Sequence, residues 1–362
     1  MKIKTINGWR AVFAMIIVLF HVGVAGMEEL TWAGVTFFFI ASGFLLTLKY
    51  PFNDLDAKSY GNFTWRHALK LYPLHWLTLV LMLIALAWAG KLVINSGTLA
   101  LNALLLQSWS FTHSIYFSYN QFSWFLGTLL FCYLCYPLLA RWFTPLRLRV
   151  QAAIIFVLVL IDIIILASVD IYGQTALYVF PPVRLIDFLI GMTLACACQS
   201  MRTKNVKVLG KSENGTDIEL ISIALLSVTV MFLRAYPFFQ PWSDAIVWWP
   251  AVIVLIMGCL LYNNREGFIG RLLSSRLMQW LGNISFEMFM LQGLIPFIFT
   301  GLISPVLGHF GITDVANEVS NDLFGTDANL MAVFALPIDI LLAWIVNRLF
   351  THPINRLLIA RK

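Results

Sequence analysis

Charge is scarce in this chain. Its 362 residues include only 24 Lys and Arg and 18 Asp and Glu, so 12% are charged while 60% are hydrophobic. The mean hydropathy is +0.82. A soluble domain is usually about 25% charged. The composition therefore excludes a soluble domain and favours a protein that is embedded in a membrane.

Cysteine is also scarce. The five cysteines all lie inside apolar runs, which excludes a disulfide framework; they are Cys132, Cys135, Cys196, Cys198 and Cys259. Cys132 and Cys135 have a C-x-x-C spacing, but no second pair and no histidine cluster completes a zinc site. We interpret them as small helix-packing residues and expect no metal cofactor.

Long apolar runs dominate the rest of the chain. Each is close to the ~20 residues that a helix needs to cross a ~30 Å hydrocarbon layer. They lie at about 9–26, 31–49, 70–90, 122–140, 151–170, 180–198, 218–234, 245–263, 280–304 and 329–350. The pattern predicts an all-α, polytopic helical bundle with about ten transmembrane helices, forming a single domain over residues 1–362.

The basic residues test this span count independently. With ten spans, every Lys and Arg except Lys91, Arg184 and Arg234 falls on alternate connecting segments, starting with the N-terminus. Basic residues concentrate on the cytoplasmic side of membrane proteins. The bias predicts cytoplasmic termini and a multi-pass protein of the cell (inner) membrane. It also explains the isoelectric point near 9.1, so that nucleic acid is not an expected partner but membrane lipids are.

Ionisable side chains inside spans are the first functional candidates, because burying one in hydrocarbon costs at least ~2–3 kcal/mol. Arg10 and His21 are eleven residues apart, which is three helical turns plus about 20°, so both lie on one face. Their separation along the axis is roughly 16 Å. The alternative interpretation makes Arg10 a topology signal and His21 a core histidine bonded to a neighbouring helix.

Further polar groups lie in later spans. Arg184 and Asp187, three residues apart, can form a structural ion pair or serve a substrate. Glu287 and Gln292 are about 140° apart around their helix and do not share a face. The indole N–H of Trp124 can hold a substrate, although an aromatic anchor at the interface explains the same residue.

The segment 91–121 is the longest predicted connection on the outer side. It is rich in aromatic and hydroxyl groups, and it includes Trp109 and Tyr116. The pattern predicts a short interfacial helix at about 97–108. The aromatic rings suit stacking on a neutral sugar, or a plain aromatic belt.

Several segments together resemble one known family. The first span reads GWRAVFAMIIVLFH and the second reads GVTFFFIASGFLLTLKY. Later segments read WRHALKLYPLHWL, SWFLGTLLFCYLCYPLL and RLMQWLGNISFEMFMLQ. In order and spacing they are similar to the acyltransferase 3 family of integral membrane acyltransferases, over residues 5–360. The chain departs from the family pattern at Thr36, Leu129 and Gln292.

The resemblance implies an acyltransferase, of the class transferring groups other than aminoacyl groups. Its donor is a cytoplasmic acyl-CoA, usually acetyl-CoA. The acceptor is a hydroxyl of a cell-surface or lipid-linked carbohydrate, so that O-acetylation of an envelope polysaccharide is the expected activity. The implied catalytic residues are Arg10 and His21, with His21 as the general base or acyl relay.

The resemblance also implies two sets of binding residues. Those expected to hold acyl-CoA are Arg66, Lys70, Ser42 and Tyr72. Arg66 and Lys70 are four apart and share a helix face, where they can meet phosphates or act only as topology signals. Those expected to hold the acceptor are Trp124, Glu287, Gln292 and Arg184.

A second hypothesis is a secondary transporter, or an exporter of a small acid or a lipid-linked sugar. It too would use intramembrane His, Asp and Glu side chains, as proton relays. The basic cluster of Arg66 and Lys70 at one mouth favours the acyltransferase, because a transporter has no need of it.

Overall fold

The computed structural model describes residues 3–50, 56–203, 215–236, 239, 246–261, 267–303, 309 and 328–360, and most of these residues are helical. These ranges contain no strand. The first nine α-helices are α1 (Lys4–His21), α2 (Glu28–Lys49), α3 (Ala57–Trp88), α4 (Ser96–Ala103), α5 (His113–Tyr116), α6 (Ser123–Trp142), α7 (Leu148–Ser168), α8 (Ile171–Val179) and α9 (Pro181–Thr203).

The second part of the bundle is less regular. Its α-helices are α10 (Thr216–Ala235), α11 (Trp249–Leu261), α12 (Phe268–Leu273), α13 (Arg276–Leu291), α14 (Ile295–Ile298), α15 (Ala328–Val346) and α16 (His352–Ala360). A 3₁₀ turn, Gln292–Leu294, joins α13 to α14. The π-helical turns Phe299–Ile303 and Asn347–Thr351 follow α14 and α15.

Eight of the described helices are long and apolar enough to cross a membrane. They cover Glu28–Lys49, Ser59–Trp88, Ser123–Trp142, Leu148–Ser168, Pro181–Met201, Thr216–Ala235, Arg276–Ile303 and Val333–Leu357. The other two predicted spans are present as α1, whose polar residues include Arg10 and His21, and as the shorter α11. The predicted helical membrane bundle is therefore confirmed, and the count of ten spans depends on α1 and α11.

Helix α3 begins well before the apolar run that predicted it. The carboxylate of Asp56 accepts a hydrogen bond from the backbone N–H of Ser59 at 3.0 Å, which satisfies one open donor of the first turn. The thirteen residues before the predicted start at 70 bring Phe63 and His67 into the bundle, where both are buried.

Contacts between helix ends agree with the up-and-down order. The end of α10 meets the start of α2, where Arg234 forms an ion pair with Glu29 at 2.7 Å. At the opposite end, the hydroxyl of Tyr136 in α6 donates to the carbonyl of Tyr50, just after α2, at 2.7 Å. We call the end with Tyr50 the inner end and the end with Glu29 the outer end, following the charge bias of the sequence.

Glycine allows a close helix contact between α2 and α9. A Cβ atom on Gly43 would collide with the carbonyl oxygen of Phe188, and one on Gly191 with the carbonyl oxygen of Ile40. Small residues at such crossings let two backbones approach directly. This contact fixes the rotation of α2 and therefore the direction of its neighbouring side chain, Ser42.

Replacing Gly191 by alanine is expected to lower the free energy of unfolding by about 1–3 kcal/mol, because the added methyl group overpacks this contact. The matched control is Gly61→Ala. Gly61 lies on α3 with open space around it, so alanine should raise stability by about 0.5–1 kcal/mol. Thermal unfolding in detergent measures both, and an unchanged melting temperature for Gly191→Ala would contradict the contact.

Candidate functional site

The inner end of the bundle contains a cavity of about 740 Å³. Its walls come from α1, α2, α3, α6, α13 and the C-terminal turns. Three cations line it, namely Arg10, Lys49 and Lys70. This cavity collects positive charge at the end where the sequence predicts the cytoplasm.

Arg10 faces the inner cavity from the middle of α1. Within the described residues no hydrogen bond or ion pair joins its guanidinium to another group. Glu287 lies within electrostatic reach across the cavity, but its carboxylate accepts a hydrogen bond from Asn347 at 2.7 Å. Arg10 therefore presents donors to whatever enters the cavity.

The wall formed by α3 differs from the one predicted. Lys70 lines the cavity together with His67 and Leu71, which are on one face at spacings of three and four residues. Arg66 is exposed and lies outside the cavity lining, because it is about 100° around the helix from His67. His67 was not among the predicted site residues. The signal for it was the buried series Phe63, His67 and Leu71.

Ser42 and Tyr72 have different surroundings. Ser42 lines the inner cavity, and its hydroxyl donates to the carbonyl of Phe38 at 2.7 Å. The hydroxyl of Tyr72 donates to the carbonyl of Leu104 at 3.0 Å, and the ring lines neither cavity. Tyr72 thus holds the segment after α4 against α3, whereas Ser42 forms part of the inner cavity wall.

A second cavity, of about 520 Å³, lies toward the outer end and contains His21. His21 is the last residue of α1, and its Nδ1 is 2.8 Å from the carbonyl oxygen of Ile17. A carbonyl can only accept, so Nδ1 carries the proton in the neutral ring. The lone pair of the imidazole is then on Nε2, which is the atom that can accept a proton.

His21 is recessed beneath the ends of longer helices. Gln292 lies beside its ring, and the helical chain runs on from Gln292 to Ile303, roughly 16 Å at a helical rise. Helix α3 also continues outward to Trp88, which packs against Gly301. A molecule reaching His21 from outside must therefore enter the bundle.

Aromatic rings form one wall of the outer cavity. Trp124 and Tyr178 both line it, and their ring centroids are 4.9 Å apart. Trp32 and Gln121 complete the lining near them. Of this wall the sequence predicted only Trp124, because nothing in the local pattern placed Trp32, Gln121 and Tyr178 together.

Arg184 supports this wall from behind. It is fully buried and lines neither cavity. Its NH1 is 3.0 Å from the Asp187 carboxylate, and its Nε donates to the carbonyl of Tyr178 at 2.7 Å. The guanidinium also lies 4.3 Å from the centroid of the Tyr178 ring. The predicted pair with Asp187 is present, so Arg184 orients Tyr178 and does not point at the cavity.

Glu287 and Gln292 lie on different sides of their helix, as their predicted angular separation implies. Glu287 lines the inner cavity, while Gln292 lies beside His21 and outside the described lining of both cavities. The amide nitrogen of Gln292 donates to the carbonyl of Phe289 at 2.9 Å. In the described part of the chain its buried amide oxygen has no hydrogen-bond partner.

The predicted sugar platform on the outer segment is wrong for Tyr116. That ring is only 1% exposed, so no ligand can stack on it. Trp109 is 39% exposed, but its ring packs against Phe131 and Phe180. Desolvation raises the pKa of Tyr116, as expected for a buried hydroxyl. The segment reaches the outer cavity further along, through Phe117 and Gln121. The helix predicted at about 97–108 is present as α4, which ends at Ala103.

No group of three or more His, Cys, Asp or Glu side chains in the described ranges is arranged to hold a metal ion. The site thus offers cations and amides at the inner cavity, and one imidazole with aromatic rings at the outer one.

Comparison with known proteins identifies the class. The family model described as an acyltransferase domain, that of acyltransferase 3, matches residues 3–348. The chain therefore belongs to this family, and it is a multi-pass membrane acyltransferase for groups other than aminoacyl groups. No curated protein and no solved structure matched it. Family membership sets aside the hypothesis of a transporter or exporter.

Proposed function

We propose that this protein transfers an acetyl group from cytoplasmic acetyl-CoA to a hydroxyl of a neutral cell-surface or lipid-linked carbohydrate. It would do so in the cell (inner) membrane. One observation carries the proposal, namely that the same helix presents Arg10 to a cationic inner cavity and His21 to an uncharged outer one. Two cavities at opposite ends suit a donor and an acceptor that arrive from opposite sides.

The donor belongs in the inner cavity. CoA carries phosphate groups, which bind most strongly to cations through charge-assisted hydrogen bonds. Arg10, Lys49 and Lys70 supply that charge, and Ser42 and His67 add polar contacts on the same surface. Because Arg66 lies outside the lining, we assign the phosphate contact on α3 to Lys70 and not to Arg66.

The acceptor belongs in the outer cavity. Its described lining includes no Lys, Arg, Asp or Glu, so that it suits a neutral molecule. The rings of Trp32, Trp124 and Tyr178 offer flat apolar faces, while Gln121 offers hydrogen bonds. Alternating apolar faces and hydroxyl groups are the surface of a sugar, and such a lining recognises both.

The chemical step follows from the tautomer of His21. Nε2 takes the proton of the acceptor hydroxyl as the oxygen attacks the thioester carbonyl carbon. A new C–O ester bond forms, and the C–S bond breaks. CoA leaves as a thiolate and receives the proton from the imidazole, which restores the neutral ring. In this scheme Arg10 holds the donor at the inner cavity and Gln292 lies beside the base.

Labelled acetyl-CoA tests the proposal with the purified protein in detergent. We expect slow thioester hydrolysis without an acceptor, and ester formation when a neutral oligosaccharide or lipid-linked sugar is added. Parallel assays with an anionic sugar should give less product, because the described lining of the outer cavity includes no cation to offset the charge. No consumption of acetyl-CoA under any of these conditions would refute the donor assignment.

Lys70→Ala is expected to weaken acetyl-CoA binding by about ten-fold or more, the effect of losing one charge-assisted contact of ~1.5–3 kcal/mol. Arg66→Ala is the matched control, with the same helix and a similar charge but no place in the cavity. The affinity of Arg66→Ala for acetyl-CoA should change by less than about three-fold. Calorimetric titration with CoA measures both, and equal losses in the two variants would contradict the assignment.

A further inference from the structure

One side chain separates the two cavities. Among the described residues, Phe289 of α13 is the single residue that lines both the inner and the outer cavity. It is 5% exposed. Its ring therefore stands at the point where the donor side and the acceptor side come closest together.

Aromatic rings continue from Phe289 in both directions. Toward the inner cavity, its centroid is 4.9 Å from that of Phe125. Toward the outer cavity, it is 6.1 Å from that of Phe122, whose ring in turn lies edge-on to His21 at 4.7 Å. Phe125 lines only the inner cavity, and Phe122 lines only the outer one. These three rings, Phe122, Phe125 and Phe289, lie between the cationic cavity and the imidazole, and we call them the partition.

The partition stands in the path of the reaction. Arg10 and His21 are roughly 16 Å apart along α1, and they open into different cavities. A thioester whose CoA phosphates are held near Arg10 must pass Phe289 before its carbonyl carbon can meet a hydroxyl beside His21. Transfer requires reacting atoms about 3–3.5 Å apart, so that the partition has to open in every catalytic cycle.

We infer that Phe289 is a gate between the cavities, and that it admits the acyl end of the donor only when its ring turns aside. The inference rests on the proposed function and adds to it a limit on the width of the acyl group. A gap the size of one phenyl ring passes a narrow acyl group and holds back a wide, branched one. The donor class is therefore an acyl-CoA with an unbranched acyl group.

Rotation about χ1 is the movement that would open the gate, because a helical phenylalanine has two common χ1 rotamers. The ring of Phe122 packs closely on Gly293, one turn after Phe289, where an added Cβ would lie 3.0 Å from that ring. The moving part of the gate is therefore the ring of Phe289 itself.

Thiol labelling tests the gate without any assay of activity. Gln121→Cys places a thiol in the outer cavity, and a charged, membrane-impermeant thiol reagent is added to one side of sealed vesicles at a time. The labelling of the five native cysteines is the background. With Phe289 present, we expect the thiol of Gln121→Cys to be labelled above this background only when the reagent is on the outer side. With Phe289→Ala, we expect labelling from both sides, at least ten-fold faster from the inner side than before.

Two further variants keep this test decisive. Phe289→Leu keeps an apolar side chain with less bulk and should give an intermediate rate of inner labelling, even if Phe289→Ala folds poorly. Phe297→Ala removes a buried ring of the same helical region that lines neither cavity, and it should leave labelling one-sided. One-sided labelling in both Phe289 variants would overturn the gate.

The donor profile tests the limit on acyl width separately. The ratio of kcat/KM for pivaloyl-CoA, whose acyl group is wide and branched, to that for acetyl-CoA should rise at least ten-fold in Phe289→Ala and stay constant in Phe297→Ala. Two-sided labelling with an unchanged ratio would remove the role of acyl width. If the wild-type protein consumed no acyl-CoA at all, the proposed function would fail, while the labelling would still decide whether Phe289 closes the passage.

Discussion

His21→Ala should lower the rate of acyl transfer at least ~10²-fold, the usual contribution of a general acid–base group. The reason is the fixed tautomer, since the bond from Nδ1 to the carbonyl of Ile17 leaves Nε2 as the one proton acceptor on the ring. Affinity for acetyl-CoA should stay within a factor of about three, because His21 lies outside the inner cavity. Single-turnover transfer kinetics and CoA titration separate the two effects.

The matched control for His21 is His352→Ala. His352 is exposed at the start of α16 and lines neither cavity, so its replacement should leave transfer unchanged. Folding of both variants is checked by size-exclusion profile and melting temperature in detergent. A well-folded His21→Ala protein with near-normal transfer would exclude His21 from the mechanism.

Arg10→Ala should raise the KM for acetyl-CoA by about 10²-fold, because Arg10 offers several donors to one phosphate and each charge-assisted bond is worth ~1.5–3 kcal/mol. Arg10→Lys should recover part of this affinity, since the ammonium keeps the charge but loses the planar pair of donors. The affinity of the wild-type protein should also fall with salt, and that of Arg10→Ala less so.

A donor without the nucleotide provides the control for Arg10. Acetyl-pantetheine has the thioester but not the nucleotide phosphates, so wild type and Arg10→Ala should use it equally. If Arg10→Ala impaired both donors to the same degree, Arg10 would act on the fold or on the reacting carbon, and the phosphate contact would be wrong.

Hydropathy predicted the helices, because a segment that crosses hydrocarbon must satisfy its backbone hydrogen bonds internally and cover itself with apolar side chains. Each span must meet this constraint by itself, so each one appears in the sequence as a separate apolar run. The early start of α3 was missed because its first turns are polar and extend beyond any apolar run. The cap at Asp56, which fixes that start, is a local signal that hydropathy does not register.

The direction of each side chain was harder to predict. The i, i+4 spacing joined Arg66 to Lys70, yet the bundle turns α3 so that Lys70 and His67 face the cavity. That rotation is set by packing between helices, of the kind that Gly43 shows against Phe188. The two cavities arise from several helices at once, and for that reason Phe289 and Tyr178 carried no signal of their own.

The hydrogen bond behind His21 has a consequence for the lifetime of the protonated base. In a serine hydrolase triad, a carboxylate stands behind the histidine and stabilises the imidazolium. Here the partner is the uncharged carbonyl of Ile17, and no Asp or Glu lines the outer cavity in the described ranges. An imidazolium would be a cation with no carboxylate beside it in the described lining of the cavity. The proton should therefore pass to the departing sulfur as soon as it arrives, and a normal solvent deuterium isotope effect on single-turnover transfer would register that coupled transfer.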